Sequence, residues 1–189
     1  MSFELFFVAR SKLKEQRTKN KGQKGHYPLN VTRLIFLACW FGAALFFSAV
    51  VAPAAFGVLR SFGLANANEI AGGIVTRSLG VVNVAGFVIA LVLLLTAFVR
   101  RGSAGRITFL FESGSLAVIA LATGVGHWLI AARMRALRAA MVLPIDQIAV
   151  DDSRRIAFNN LHGYSVNALS LAMIAALVAM VLMARNIRN

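Results

Sequence analysis

LIFLACWFGAALFFSAVVAPAAFGVL, Leu34 to Leu59, runs for 26 residues without one charged side chain. As a helix it would rise about 39 Å, and about 20 apolar residues already cross a hydrocarbon layer roughly 30 Å thick. Three later stretches also meet that length: Ser78 to Val99, Ile107 to Ala132 and Leu161 to Ala184. Over the 189 residues, 59% are hydrophobic, only 14% are charged and the mean hydropathy is +0.74. A soluble domain carries about a quarter of its residues as charges. The expected fold class is therefore all-α, an integral membrane four-helix bundle over residues 34–189, preceded by a basic arm over residues 1–33. Three Pro, one Cys and no internal repeat exclude a disulfide scaffold, a Cys-rich metal domain and a repeat array. Cys39, inside an apolar run, reads as a small buried hydrophobe.

Orientation follows from Lys and Arg, which are in excess on cytoplasmic flanks. Thirteen of the twenty fall in the arm, in the turn Arg100 to Arg106 and at the C-terminus, against seven in the other two connections. Both termini are expected in the cytoplasm, with the bacterial inner (cytoplasmic) membrane as the location. The arm opens MSFELFFVARSKLKEQR, whose charges follow its apolar residues, unlike a cleavable signal. It reads as a short interfacial helix, with Phe3, Phe6 and Phe7 in lipid and Arg10 at headgroup level. Lys12, Lys14, Arg17, Lys19, Lys21 and Lys24 would dock the arm on anionic headgroups or a neighbouring subunit. The formal charge of +13 is accounted for in this way, without nucleic acid.

The helix faces carry more detail. Small residues recur every four positions in the first helix, and Gly42, Ser48, Pro53 and Gly57 mark a close-packing face with a proline kink, which places this helix at the bundle centre. At 100° per residue, Glu112, Ser115, Thr123, Gly126 and His127 share one face of the third helix and should point inward. Glu112 is the one acidic residue inside a predicted span, and a carboxylate there needs a partner. Beyond Ala132, ARMRALRAAM continues amphipathically toward Pro144, and Asp151, Asp152 and Ser153 form a plausible start for the fourth helix. The third and fourth helices thus make a long antiparallel hairpin that extends beyond the outer face. His162, Tyr164, Ser165 and Asn167 are expected to join Glu112, Ser115, Thr123 and His127 as structural polar groups, with His162 holding the outer junction of the hairpin.

The run FNNLHGYS (Phe158 to Ser165), with APAAF (Ala52 to Phe56) and AGGIV (Ala71 to Val75), resembles the transmembrane protein 205 family, the domain of unknown function 4149. The resemblance covers roughly Leu34 to Ala184 and implies a small four-helix membrane protein. The second helix departs from it, opening SLGVVN where the family has an aromatic-rich start. The family lends no biochemical activity.

His127 and His162 both lie near the outer ends of their helices and could face each other. Two histidines can ligate a transition metal, and one can serve as the axial ligand of haem or chlorophyll. The sequence requires no such cofactor. It has no Gly-rich phosphate loop, zinc-protease motif or nucleophile elbow, and Ser165 one turn from His162 lacks an orienting acid. The function expected is that of a non-enzymatic accessory subunit of a larger membrane complex. The alternative is a tetrapyrrole- or metal-binding protein of an electron-transfer or photosynthetic complex.

Overall fold

A computed structural model describes residues 28–102 and 105–188. The interfacial helix and the docking lysines of the arm lie outside these residues. Four helices long and apolar enough to cross a membrane follow in order: α1 (Pro28–Ser61), α2 (Ala67–Val99), α3 (Arg106–Ala139) and α4 (Ser153–Arg188). Their connections are short, so chain neighbours run antiparallel and both ends of the described chain lie at one end of the bundle, called inner below. The bundle is all-α, with no strand among the described residues.

Every helix outruns its apolar window. The 33 residues of α2 rise about 50 Å, some 20 Å more than hydrocarbon requires. The surplus of α2 lies before Ser78, and that of α4 before Leu161, so the excess accumulates at the outer end. There the hairpin predicted for α3 and α4 is present, although α3 stops at Ala139, short of Pro144. The loop that follows folds back through one 3-10 turn, Ile145–Gln147.

Helix ends are set by local chemistry. α1 closes on Gly63, whose φ of 66° is left-handed and whose N–H donates to Arg60 O at 3.0 Å. Gly63→Ala should therefore lower stability by about 1–2 kcal/mol in a reversible unfolding experiment. Asp152 caps α4 as expected: its carboxylate accepts from Arg154 N at 2.8 Å and from Arg154 Nη2 at 2.9 Å. These Arg154 bonds hold the Asp152 carboxyl down at about 2. A depressed carboxyl contributes its full cap above the ordinary carboxylate range and loses it only as pH falls through about 2. In an NMR titration, Arg154→Ala should return Asp152 toward an ordinary carboxylate value.

Packing corrects the expected close-packing face of α1. α3 lies along both α2 and α4, whereas the outer half of α1 leans on α2. The small residues that permit close approach are Ala172, Ala176 and Ala179 of α4, all fully buried. On α1, Gly42 and Gly57 are exposed, and a Cβ on either would meet nothing within 4 Å. Cys39 is exposed as well, not buried. Pro53 follows a π-helical turn, Phe47–Val51, in which Ala52 N–H donates to Phe47 O five residues back. The wider turn relieves the proline ring's encounter with the preceding carbonyls. Ser48 Oγ bonds Ala44 O at 2.8 Å within the same helix and ties it to no neighbour.

α1 is fixed to α2 at Trp40. The indole is 3% exposed, its Nε1 donates to Val82 O at 2.9 Å, and its ring lies over Gly86. A second π stretch, Val125–Ile130, widens α3 where Gly124 and Gly126 receive Phe87 and Asn83 of α2.

Candidate functional site

Two polar constellations stand at opposite ends of the bundle. At the inner end, Glu112 of α3 forms an ion pair with Arg33 of α1, 2.6 Å between Nη2 and Oε1. Arg33 is 2% exposed and Glu112 3%. The same Nη2 donates to Leu93 O of α2 at 2.9 Å, and Asn186 Nδ2 of α4 donates weakly to Glu112 Oε2 at 3.4 Å. Glu112 and Arg33 together thus link all four helices.

The pair is not isolated. Arg100, at the C-terminus of α2, is buried beside it. Desolvation by burial, and after it the Arg33 charge, push its guanidinium below its ordinary value, while Glu112 pulls it back up. A second guanidinium therefore lies within the field of the Arg33–Glu112 pair, without bonding to it. Arg33 Nε and Nη1, Arg100 Nε and Asn30 Oδ1 have no hydrogen-bond partner among the described residues. The arrangement suits a rigid junction whose charges are fixed in place, since removing Glu112 leaves two guanidinium groups buried and uncompensated.

The outer end holds a cavity of about 940 Å³ between the outer parts of all four helices and the α3–α4 loop. Its walls begin with a network centred on Glu69 in the first turn of α2. Both Glu69 carboxylate oxygens accept from Arg138 Nε, at 2.7 and 2.8 Å, and Oε2 also accepts from Ile145 N at 3.3 Å. Asp146 of the loop accepts from the Glu69 N–H at 3.2 Å and from Asn68 Nδ2. A remote carboxylate therefore caps α2, where the N-cap residue Asn66 makes no side-chain bond. Arg60 joins through Nε to Asn68 Oδ1 at 2.8 Å, and Arg155 through Nη1 to Ile148 O.

The residues expected to form one polar cluster are divided. Glu112, Thr123 and Ser165 are buried, and Ser115 and His127 are half-buried, as an inward face requires. Thr123 Oγ1 bonds Ile119 O at 2.7 Å within its own helix. Tyr164 is 62% exposed, and His162 and Asn167 are exposed too, so none of the three joins the cluster. For Tyr164 and Asn167 the reason is rotational: Ser165 occupies the buried line of α4 that continues through Leu169 and Ala172, and residues one and two positions from it cannot share it, whereas His162, three positions earlier, lies on that line but beyond its packed part, at the outer cavity. An exposed His162 holds no junction, and His162→Ala should change stability by less than about 0.5 kcal/mol.

The two histidines do not converge. His127 packs its ring against Gly80 of α2 and edge-on to Trp128, with ring centroids 5.0 Å apart. His162 instead lines the outer cavity, which His127 does not border. Among the described residues, no three His, Cys, Asp or Glu side chains gather as a metal set.

Sequence reasoning missed Arg33, Arg100 and Asn186 at the inner junction, and Glu69, Arg138 and Asp146 at the outer one. One signal for the outer set was present: Asn66 followed by Glu69 has the spacing of a helix start, well before Ser78.

Family comparison agrees with this architecture. Residues 35–142 match the model of the domain of unknown function DUF4149, more than half of the chain. The chain belongs to the DUF4149 family. The match ends before α4, so FNNLHGYS lies outside it, and it carries no further family name. No curated protein and no solved structure matches. Within this DUF4149 member, the three segments that carried the resemblance meet in space: Phe56, Gly72 and Gly73, and Phe158 and His162 all border the outer cavity.

Proposed function

We propose that this DUF4149 protein is a non-enzymatic accessory subunit of a larger membrane assembly, docking through α1. The reading rests on the uncovered small-residue face of that helix. Ala38, Gly42, Ala49, Pro53 and Gly57 recur at helical spacing and are exposed, with open space above both glycines. In lipid, where tails are as apolar as any side chain, small residues favour a facing helix because they let its backbone come close. The basic arm would add a second attachment, to anionic headgroups or to the same partner. The membrane is the bacterial inner membrane with both termini cytoplasmic, on the bias of Lys and Arg toward the inner end.

The test uses Cys39, the chain's one cysteine, exposed on α1 next to Ala38. A thiol-directed crosslinker applied in native membranes should join Cys39 to a different membrane protein, identified by mass spectrometry after mild extraction. Gly42→Leu should release that partner while leaving the thermal unfolding of the isolated chain unchanged. Migration of the chain alone, with no crosslink, overturns the reading.

A second reading, a tetrapyrrole- or metal-binding protein, has one observation in its favour: His162 stands on the wall of a cavity of ligand size. A visible absorption band in the mildly extracted protein, lost in His162→Ala, would support it.

A further inference from the structure

The outer cavity has a charge imbalance that its own network does not remove. Arg60, Arg77, Arg135, Arg138 and Arg155 border it, against Glu69 and Asp146. Both acids are already engaged, Glu69 by Arg138 and Asp146 by Asn68 and the α2 backbone. Arg60 and Arg155 bond only neutral oxygens, and Arg77 and Arg135 make no hydrogen bond or ion pair among the described residues. Four guanidinium groups thus face one space without a carboxylate of their own. The same space is floored by Phe56, Met134, Met141 and Phe158. A wall of forked cations over an aromatic and thioether floor is matched to an anion that carries an apolar tail. Its position along the helices fits as well, because most of the bordering residues lie just beyond the long apolar stretches of the sequence, where a hydrocarbon layer of about 30 Å would give way to headgroups.

We propose that this cavity binds a phosphate-bearing amphiphile, with the phosphate held by Arg77, Arg135 and Arg60 and the chain laid against Phe56, Phe158 and Met134. Phosphate is favoured over carboxylate because its tetrahedral oxygens point in different directions, so guanidinium forks from different helices can grip it together. The site meets the α1 face at Phe56 and Arg60, which lie on the same side of that helix as Ala49 and Pro53, so its test rests on Arg77 and Arg135, which belong to α2 and α3.

Native mass spectrometry of the full chain in detergent provides the test, with phosphatidylglycerol, phosphatidylethanolamine, oleate and inorganic phosphate added separately. Phosphatidylglycerol should bind one molecule per chain and raise the unfolding temperature. The Arg77→Gln/Arg135→Gln double variant should weaken that binding about tenfold or more. Its unfolding temperature without lipid should match the parent, since both side chains are exposed and unbonded. Equal binding by parent and double variant overturns the proposal. So does equal stabilisation by inorganic phosphate, which would make the tail irrelevant, or by oleate, which would make the phosphate irrelevant. A coloured species retained in the cavity in place of lipid would overturn it in favour of a tetrapyrrole.

Discussion

Glu112→Gln is expected to destabilise the bundle by about 3–5 kcal/mol, the range for breaking a buried ion pair by removing one partner. The neutral amide keeps the shape of the carboxylate, so the loss is electrostatic. It leaves Arg33, 2% exposed, with its charge uncompensated and a second buried guanidinium, Arg100, close by. The effect also spreads across the molecule, because this carboxylate is the point at which α1, α3 and α4 meet through side chains while Arg33 reaches the α2 backbone. Removing both partners is a different experiment. Arg33→Leu with Glu112→Leu takes both charges of the pair out of the interior, a replacement that is often neutral or stabilising, but it leaves Arg100 buried without a carboxylate. Reversible unfolding in mixed micelles should therefore show a large loss for Glu112→Gln and recovery of part of it in the double variant. A single variant as stable as the parent would remove the electrostatic basis of the inner junction.

The need for a partner at Glu112 was legible in the sequence, but the partner was not. A carboxylate inside an apolar run stands out against its neighbours. Arg33 did not, because it closed a stretch of Lys and Arg that reads as a solvated arm, and only the inner turn of α1 turns it inward. The four spans were legible for the same reason as Glu112, since 20 or more apolar residues in a row have few other fates. Their ends were not. Beyond each apolar window the helices continue with polar faces satisfied by distant side chains, as Glu69 is by Arg138, 69 residues away. Periodicity cannot reveal such a partner.

Small-residue faces show a further limit. Ala38, Gly42, Pro53 and Gly57 of α1 and Ala172, Ala176 and Ala179 of α4 look alike as patterns. The structure buries the second and leaves the first open. Pattern tells which faces permit close approach, and only packing tells which of them the chain itself uses. The outer cavity was illegible for a related reason: its arginines come from four helices and were counted in the sequence only as orientation signals. The motif residues Phe56 and Phe158, 102 positions apart, gave no sign that they share a wall.

Gly86→Ala carries the second large effect, and it tests packing in place of charge. A Cβ at Gly86 would stand 2.6 Å from Cε2 and Nε1 and 2.7 Å from Cζ2 of Trp40. These are atoms of a rigid bicyclic ring that is 3% exposed and held by its bond to Val82 O, so the indole cannot yield by bending a flexible tip. Overpacking of this kind costs about 1–3 kcal/mol, and the Trp40 bond to Val82 contributes about 1 kcal/mol more. Alanine's better helix propensity offsets about 1 kcal/mol, which leaves a net loss of about 2 kcal/mol. The loss should disappear where the ring is absent. In a Trp40→Leu background, all three clashing atoms are gone, and adding Gly86→Ala should cost nothing or restore a little stability by filling vacated space. The resulting coupling, about 2 kcal/mol in a double-mutant cycle, is the signature of direct contact between α1 and α2 at this point. Additive effects would place the two residues apart and would remove the principal lock that holds α1 on the bundle.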